Sequence, residues 1–518
     1  MNLSWNRLKT LPFYPFLLAV YPALALLGHN IAEIRLEVAF RALSISLLLA
    51  LLLLLIFRLV FRQWDAAALA ASVSLLLFFT YGQVYAFLKS FGDAGLAVDR
   101  HRYLAPLWLG VWLIFLVWLW RKKPDLKPVQ GYLNLVAVCL LIFPLFQLFS
   151  FGLREGLVNP DRAPEAQMAA NLTLPEGQPA PDIYYIILDA YTRDDTLASE
   201  YGLDNSAFLD QLKQLGFYVA ACSQSNYAQT QLSLASSLNF DYLEALNSRY
   251  NAGNNDRTGL PDLIQHSRTR QALEELGYQT VAFETGFKIS EWVDADLYLS
   301  PTATALSSFS QNAGLNDFEL MLVNTSAGRL LTDAAIKLPE FLQADFENPR
   351  RIHRERILFD LEQLAKLPAQ PGPKFVFAHL VIPHPPYVFG PNGEFIDYDP
   401  EKRAGYRDQV IYLNSQLIPL MEKILADSAT PPIIILQGDH GGVEAPPAKR
   451  MDILNAYYLP NSGARSLYPA ISPVNTFRVI LNTTFGGHFP LLDDTSLFSV
   501  YKTPFEYTVI PNHRSGCP

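Results

Sequence analysis

The first 153 residues carry five long apolar segments, Leu11 to Leu27, Ala42 to Phe61, Ala66 to Leu88, Tyr103 to Trp120 and Tyr132 to Phe151. No other feature restricts the fold so strongly. A hydrocarbon interior offers no water to backbone N–H and C=O groups, so segments of this length and hydropathy are confined to helices. Arg58 interrupts the second segment only near its end, where a long side chain can reach the headgroups. The first segment lacks a small-residue cleavage site and four more follow it, which argues against a removable signal peptide. Five membrane helices over residues 1–153 are therefore expected.

Loop charge gives an orientation. With the N-terminus inside, Arg7, Lys9, Arg58, Arg62, Arg121, Lys122, Lys123 and Lys127 face the cytoplasm, against Arg35, Arg41, Lys89, Arg100 and Arg102 outside. An odd number of crossings then delivers everything after Phe151 to the extracytoplasmic face of the plasma or inner membrane. Residues 154–181 are rich in Pro, Ala, Gly and Glu and read as a linker of a composition that can lie on the membrane surface, with an exported domain over 182–518. The formal charge of −9, with no basic block, argues against a nucleic-acid partner. The three cysteines, Cys139, Cys222 and Cys517, show no metal spacing and indicate no disulfide framework, while a single Cys222–Cys517 bridge is left open.

In the exported part, apolar runs alternate with helical periods. Strands are expected at Ile183 to Leu188, Phe217 to Ala221, Thr280 to Phe283, Phe375 to Val381 and Ile433 to Leu436. Helices are expected at Asn205 to Leu215, Thr230 to Leu238, Arg268 to Leu276 and Tyr406 to Ile424. Such alternation predicts a mainly parallel sheet flanked by helices. Residues 300–350 have weak periodicity and receive no assignment.

Four stretches carry chemistry. Ile433–Leu436 runs into Gln437, Gly438, Asp439, His440, Gly441 and Gly442, and Ile183–Leu188 runs into Asp189. Ligands bind at strand C-terminal ends in open α/β sheets, and two carboxylates with an imidazole suit one divalent ion such as Zn²⁺ or Mn²⁺. Thr230 opens a helix, where a hydroxyl either caps the helix or acts as a nucleophile stabilised by the free N–H groups. His379 and His384 occupy a strand end and a proline-rich turn. Arg193 and Arg450 lie near these stretches, where solvated arginines are the ordinary reading.

Together these stretches resemble the alkaline phosphatase superfamily in its sulfatase-like branch, and within it the membrane-anchored phosphoglycerol and phosphoethanolamine transferases related to lipoteichoic acid synthase. GDHGG looks like the late Asp-His metal pair, LDAY like the early acidic ligand, TQLSLASSL like the nucleophile segment and HLVIPHPPY like the substrate histidine loop. The resemblance implies a metal held by Asp189, Thr230, Asp439 and His440, with Thr230 and His384 catalytic. It also implies substrate contacts from His379, His384, Arg193 and Arg450, a phospholipid donor and a glycan or lipid acceptor. Two departures qualify it. Asp189 stands where those transferases usually carry Glu, and Thr230 is followed by Gln231, Leu232, Ser233 and Leu234, so the formylglycine motif of sulfatases is absent. A membrane-tethered sulfatase or phosphoric ester hydrolase, and a non-catalytic protein keeping the fold, remain the alternatives. A second metal would need His488 and partners the sequence does not identify.

Overall fold

The computed structural model describes residues 11–31, 36–89, 101–157, 172–173, 177, 180–301, 317–330, 349–460 and 463–517. The expected linker, 154–181, lies largely outside these residues, as do Arg7, Lys9, Arg35 and Arg100 of the charge balance. The chain divides into two units, residues 1–156 with 311–347, and residues 157–310 with 348–518.

The first unit contains α1 (Tyr14–His29), α2 (Ala39–Phe61), α3 (Trp64–Lys89), α4 (His101–Lys122) and α5 (Lys127–Leu157). Four of these, α2 to α5, are long and apolar enough to cross a membrane; α1 is apolar but has only 16 residues. At 1.5 Å per residue that is about 24 Å of helix against a hydrocarbon core of about 30 Å. Among the described residues there are thus four such spans and one shorter apolar helix, so the expected five crossings are not confirmed. Alanines 66, 67, 68, 70 and 71 of α3 are buried, and small side chains let helices approach closely where no water drives association. Outward-facing Leu48, Leu59, Ile114, Phe143 and Phe146 are exposed, as lipid contact requires.

Part of the unassigned stretch also belongs to this unit. The helix α10 (Asp317–Thr325) buries Phe318 and Leu322 in one cluster with Ala19, Leu27, Ala39, Ala42 and Phe79. Its Glu319 forms an ion pair with Arg41. A Cβ on Gly82 would lie 2.3 Å from the Asn324 carbonyl oxygen, so only glycine admits this approach.

The second unit is built on a seven-stranded sheet in the order β2-β7-β6-β1-β5-β3-β4. Its strands are β1 (Ile183–Leu188), β2 (Tyr218–Val219), β3 (Gln279–Phe283), β4 (Leu297–Leu299), β5 (Lys374–Leu380), β6 (Ile433–Gln437) and β7 (Asn455–Tyr458). The pairs β6–β1, β1–β5, β5–β3 and β3–β4 are parallel, while β7 is antiparallel to both neighbours.

Alternate residues of the central strands enter two cores, which is why the runs are unbroken in hydrophobicity. Tyr184, Ile186, Leu188, Ile434 and Leu436 pack with α6 (Asp194–Tyr201), α7 (Ser206–Gln214), α11 (Pro349–Leu364) and α12 (Lys402–Asp427). Ile183, Tyr185, Ile187, Ile433 and Ile435 pack with α8 (Thr230–Leu238), α9 (Arg268–Glu275) and α13 (Pro473–Thr484). Burying each such aliphatic side chain contributes about 1.5–3 kcal/mol.

Cys222 and Cys517 form a disulfide across 295 residues, a pairing the sequence left open. Two isolated cysteines give no spacing signal, and only the fold brings their Cα atoms to 5.5 Å.

Candidate active site

Because β1 and β6 are neighbours with Ile187 opposite Gln437, their C-terminal turns open side by side. Asp189 follows β1, and Asp439 and His440 follow β6. The β6 turn is held close: the Gly438 N–H donates to the Leu454 carbonyl, and a Cβ on Gly438 would lie 2.3 Å from the Tyr191 carbonyl oxygen. Gly438→Ala is therefore expected to destabilise the second unit by about 3 kcal/mol through forced overpacking. Chemical denaturation monitored by near-UV circular dichroism checks this. The β1 turn places Ala190 at φ 65°, a left-handed conformation uncommon for alanine. Its N–H then donates to Asp439 Oδ1 at 2.9 Å, joining the two turns directly.

Four atoms converge. His440 Nε2 is 3.3 Å from Thr230 Oγ1, 3.5 Å from Asp439 Oδ2 and 3.8 Å from Asp189 Oδ1. His440 Nδ1 is 2.8 Å from the Gly441 carbonyl and can only donate there, so Nε2 carries the lone pair. Asp189 Oδ1 and Asp439 Oδ2 are buried and have no hydrogen-bond partner among the described residues, a costly arrangement for carboxylates that a bound cation would relieve. Metal–ligand bonds of 2.0–2.1 Å in a tetrahedron set ligands about 3.3 Å apart, close to these spacings. The residues present therefore fit a divalent ion.

Thr230 is the first residue of α8, and the cap position belongs to Gln229, which makes no side-chain capping bond. The Thr230 hydroxyl is directed at His440 rather than at the helix. Gln229 is held by Arg257, whose Nη2 donates to its Oε1 at 2.6 Å, and by its own Nε2 donating to the Ser499 hydroxyl. Ser233, one turn into α8, donates to the Asp439 carbonyl at 2.7 Å and so ties the nucleophile segment to the β6 turn.

His379, the second-last residue of β5, places Nε2 3.2 Å from Asp189 Oδ2. It also offers a nitrogen within 4.8 Å of ligand oxygens on Asp189 and Asp439. Burial would raise the Asp189 carboxyl, but His384, His379 and His440 outweigh it and hold Asp189 well below the usual carboxylate range. Burial depresses His440. His384 is half-buried, with Nδ1 donating to the Pro385 carbonyl at 2.7 Å and its ring 6.5 Å from that of His440. Its loop is fixed by Gln409, whose Nε2 donates to the Pro383 and His384 carbonyls.

The two arginines separate. Arg193 is buried and fully engaged, with Nε and Nη2 on Asp195, Nη1 donating to the Ser223 carbonyl and Nη2 3.0 Å from Asp452. Each of its nitrogens is engaged in this network, which argues against the expected phosphate contact. Arg450 donates through Nε to the Ala228 carbonyl, and burial lowers its pKa against the opposing fields of Asp439 and Asp189. His488 is exposed and joins no metal-capable group among the described residues.

One neighbouring residue carries no signal in the sequence. His353 on α11 is buried, its Nε2 has no hydrogen-bond partner among the described residues, and its pKa is pushed down to about 3 by burial, then by Arg356 and His384. A single histidine in a charged helix carries no motif that would single it out.

No family model matches the chain, and no curated protein matches it. Among solved structures it is similar to the integral membrane lipooligosaccharide phosphoethanolamine transferase A (EptA) from Neisseria meningitidis, at 11% identity over 91% of this chain and 95% of that one, TM-score 0.40. It is similar to the C-terminal periplasmic domain of EptC from Escherichia coli in complex with Zn, at 13% identity over 67% and 96%, TM-score 0.40. It is also similar to the lipoteichoic acid synthase LtaP from Listeria monocytogenes, at 11% identity over 66% and 81%, TM-score 0.35.

Proposed function

We propose that this chain is a membrane-bound, metal-dependent transferase that moves a phosphorylated head group, phosphoglycerol or phosphoethanolamine, from a phospholipid to a glycan or lipid acceptor. The observation that carries the reading is the Thr230 hydroxyl 3.3 Å from His440 Nε2, beside two buried carboxylate oxygens without partners. Asp189, Asp439, His440 and Thr230 would hold the ion, Zn²⁺ or Mn²⁺ by their donor types. A divalent ion there supplies electrostatic stabilisation of the Thr230 oxygen and of the phosphoryl charge.

The chain's own groups account for the bonds. Thr230 Oγ1 loses its proton to solvent and bonds to phosphorus as the bond to the diacylglycerol oxygen breaks, and that oxygen takes the Nε2 proton of a doubly protonated His384, which keeps its Nδ1 proton on Pro385. In the second half an acceptor hydroxyl returns a proton to His384 Nε2 as its oxygen bonds to phosphorus and displaces Thr230, whose oxygen regains a proton from solvent. Arg450 is the remaining candidate for a phosphate contact. His384 holds Nε2 for this work because Nδ1 is committed to Pro385. Threonine also favours phosphoryl over sulfuryl substrates. A formylglycine hydrate can expel sulfate by collapsing to the aldehyde, whereas an esterified threonine needs a second attack at the central atom.

The expected orientation has support of its own. Beginning at α2, four spans return the chain to the side from which α2 starts, whether or not α1 crosses. The helix α10, which comes from the later part of the chain, packs on that side, against Ala39, Ala42 and the Phe79 end of α3. A disulfide between Cys222 and Cys517 suits an oxidising compartment. Reporter fusions after Gly152 and Lys123 are expected to report outside and inside respectively, and a cytoplasmic signal from the first would overturn the orientation.

The purified protein with Mn²⁺ or Zn²⁺ is expected to release diacylglycerol from phosphatidylglycerol or phosphatidylethanolamine. Robust turnover of aryl sulfates without lipid cleavage would transfer the assignment to a tethered sulfatase.

A further inference from the structure

Besides Thr230, which has a single polar side-chain atom, the three ligands of the four-atom cluster each have their other polar atom held from behind. His440 is held through Nδ1 by the Gly441 carbonyl, and Asp439 through Oδ1 by the Ala190 N–H. For Asp189 the second oxygen, Oδ2, meets His379 Nε2 at 3.2 Å. The ring does not end there: its Nδ1 is 2.9 Å from Ser290 Oγ, and Ser290 Oγ is 3.0 Å from Thr285 Oγ1, which accepts the Phe287 N–H at 3.0 Å. Asp189, His379, Ser290 and Thr285 are all buried. Ser290 stands on a short 3₁₀ turn, Lys288–Ser290, 89 residues before His379 in the chain.

We propose that Ser290 and His379 are positioning residues, a buried relay that keeps Asp189 Oδ1 turned toward the metal by occupying Oδ2. The proposal rests on the metal reading above. With Ser290 donating to Nδ1, the ring carries its proton on Nε2 and donates it to Asp189 Oδ2. The carboxylate is then fixed at one oxygen and free at the other. His379 thus acts through Asp189, instead of touching substrate or ligating the ion, although its distance alone would allow ligation. Outer-shell partners of this kind typically contribute 10- to 100-fold in metal affinity.

The test is Zn²⁺ affinity and stoichiometry of the full-length protein, by competition with a chromogenic chelator. Ser290→Ala is expected to weaken binding about 10-fold with the number of bound ions unchanged, and Ser290→Thr to bind like wild type. His379→Gln keeps an N–H donor where Nε2 stood, so it is expected to hold a full complement of Zn²⁺; in that background Ser290→Ala should cost nothing further. Thermal midpoints in excess chelator show whether each variant folds, and if Ser290→Ala does not, His379→Gln carries the test alone. Equal affinity in Ser290→Ala and wild type would overturn the relay. So would a 10-fold loss that persists in the His379→Gln background, or loss of stoichiometric Zn²⁺ in His379→Gln, which would make His379 a ligand. A wild-type protein that binds no Zn²⁺ would remove both the relay and the metal reading.

Discussion

Asp439→Ala is expected to abolish stoichiometric metal binding while leaving both units folded. The substitution removes Oδ2, one of the convergent atoms, and Oδ1, the acceptor of the Ala190 N–H. If the roughly 10–16 kcal/mol typical of a four-ligand zinc centre is shared evenly, one ligand is worth about 10²- to 10³-fold in affinity. The backbone of the turn does not depend on the lost side chain, because the Gly438 and Gly441 N–H groups and the Asp439 carbonyl keep their bonds to Leu454, Arg450 and Ser233. Asp439→Asn, which retains an oxygen for the Ala190 N–H, separates loss of charge from loss of the turn contact. Elemental analysis of the purified variants, with circular dichroism for fold, measures both. Full occupancy in Asp439→Ala would remove the site as described.

Thr230→Ala should have the larger effect on turnover. It deletes the only hydroxyl among the four convergent atoms, and removal of a catalytic nucleophile commonly costs on the order of 10⁴- to 10⁶-fold. Thr230 also belongs to the proposed metal set, so the comparison requires saturating Mn²⁺. Thr230→Ser keeps the hydroxyl at the start of α8 and is expected to retain part of the rate. Wild-type diacylglycerol release by Thr230→Ala would eliminate a covalent route through this residue.

What the sequence disclosed depended on how local each determinant was. Strand β1 occupies Ile183–Leu188 and α8 occupies Thr230–Leu238, as their patterns predicted, because an unbroken apolar run and a helical period are local signals. The short strand β7, Asn455–Tyr458, pairs antiparallel with β6 and carries no such run. The helix α11, Pro349–Leu364, hides its apolar residues among many charges, so its period was not visible. The helix α10 could not be placed because its buried face meets α1, α2 and α3, hundreds of residues away.

At the site, Asp189, Asp439 and His440 were legible as polar residues ending apolar strands. The engagement of Arg193 by Asp195 and Asp452 was not legible, since an arginine after a strand looks the same whether it meets phosphate or a buried carboxylate. Nor was the contact between Ser290 and His379, which tertiary structure alone creates.

The central claim is that Thr230 carries the phosphoryl group between donor and acceptor. Its most direct test is to mix the wild-type protein with Mn²⁺ and phosphatidylglycerol or phosphatidylethanolamine, quench in acid without acceptor, and map the digest by mass spectrometry. The account predicts a phosphoglycerol or phosphoethanolamine adduct on Thr230, absent when the metal is chelated. Lipid cleavage with Thr230 unmodified, or an adduct on another residue, would contradict it.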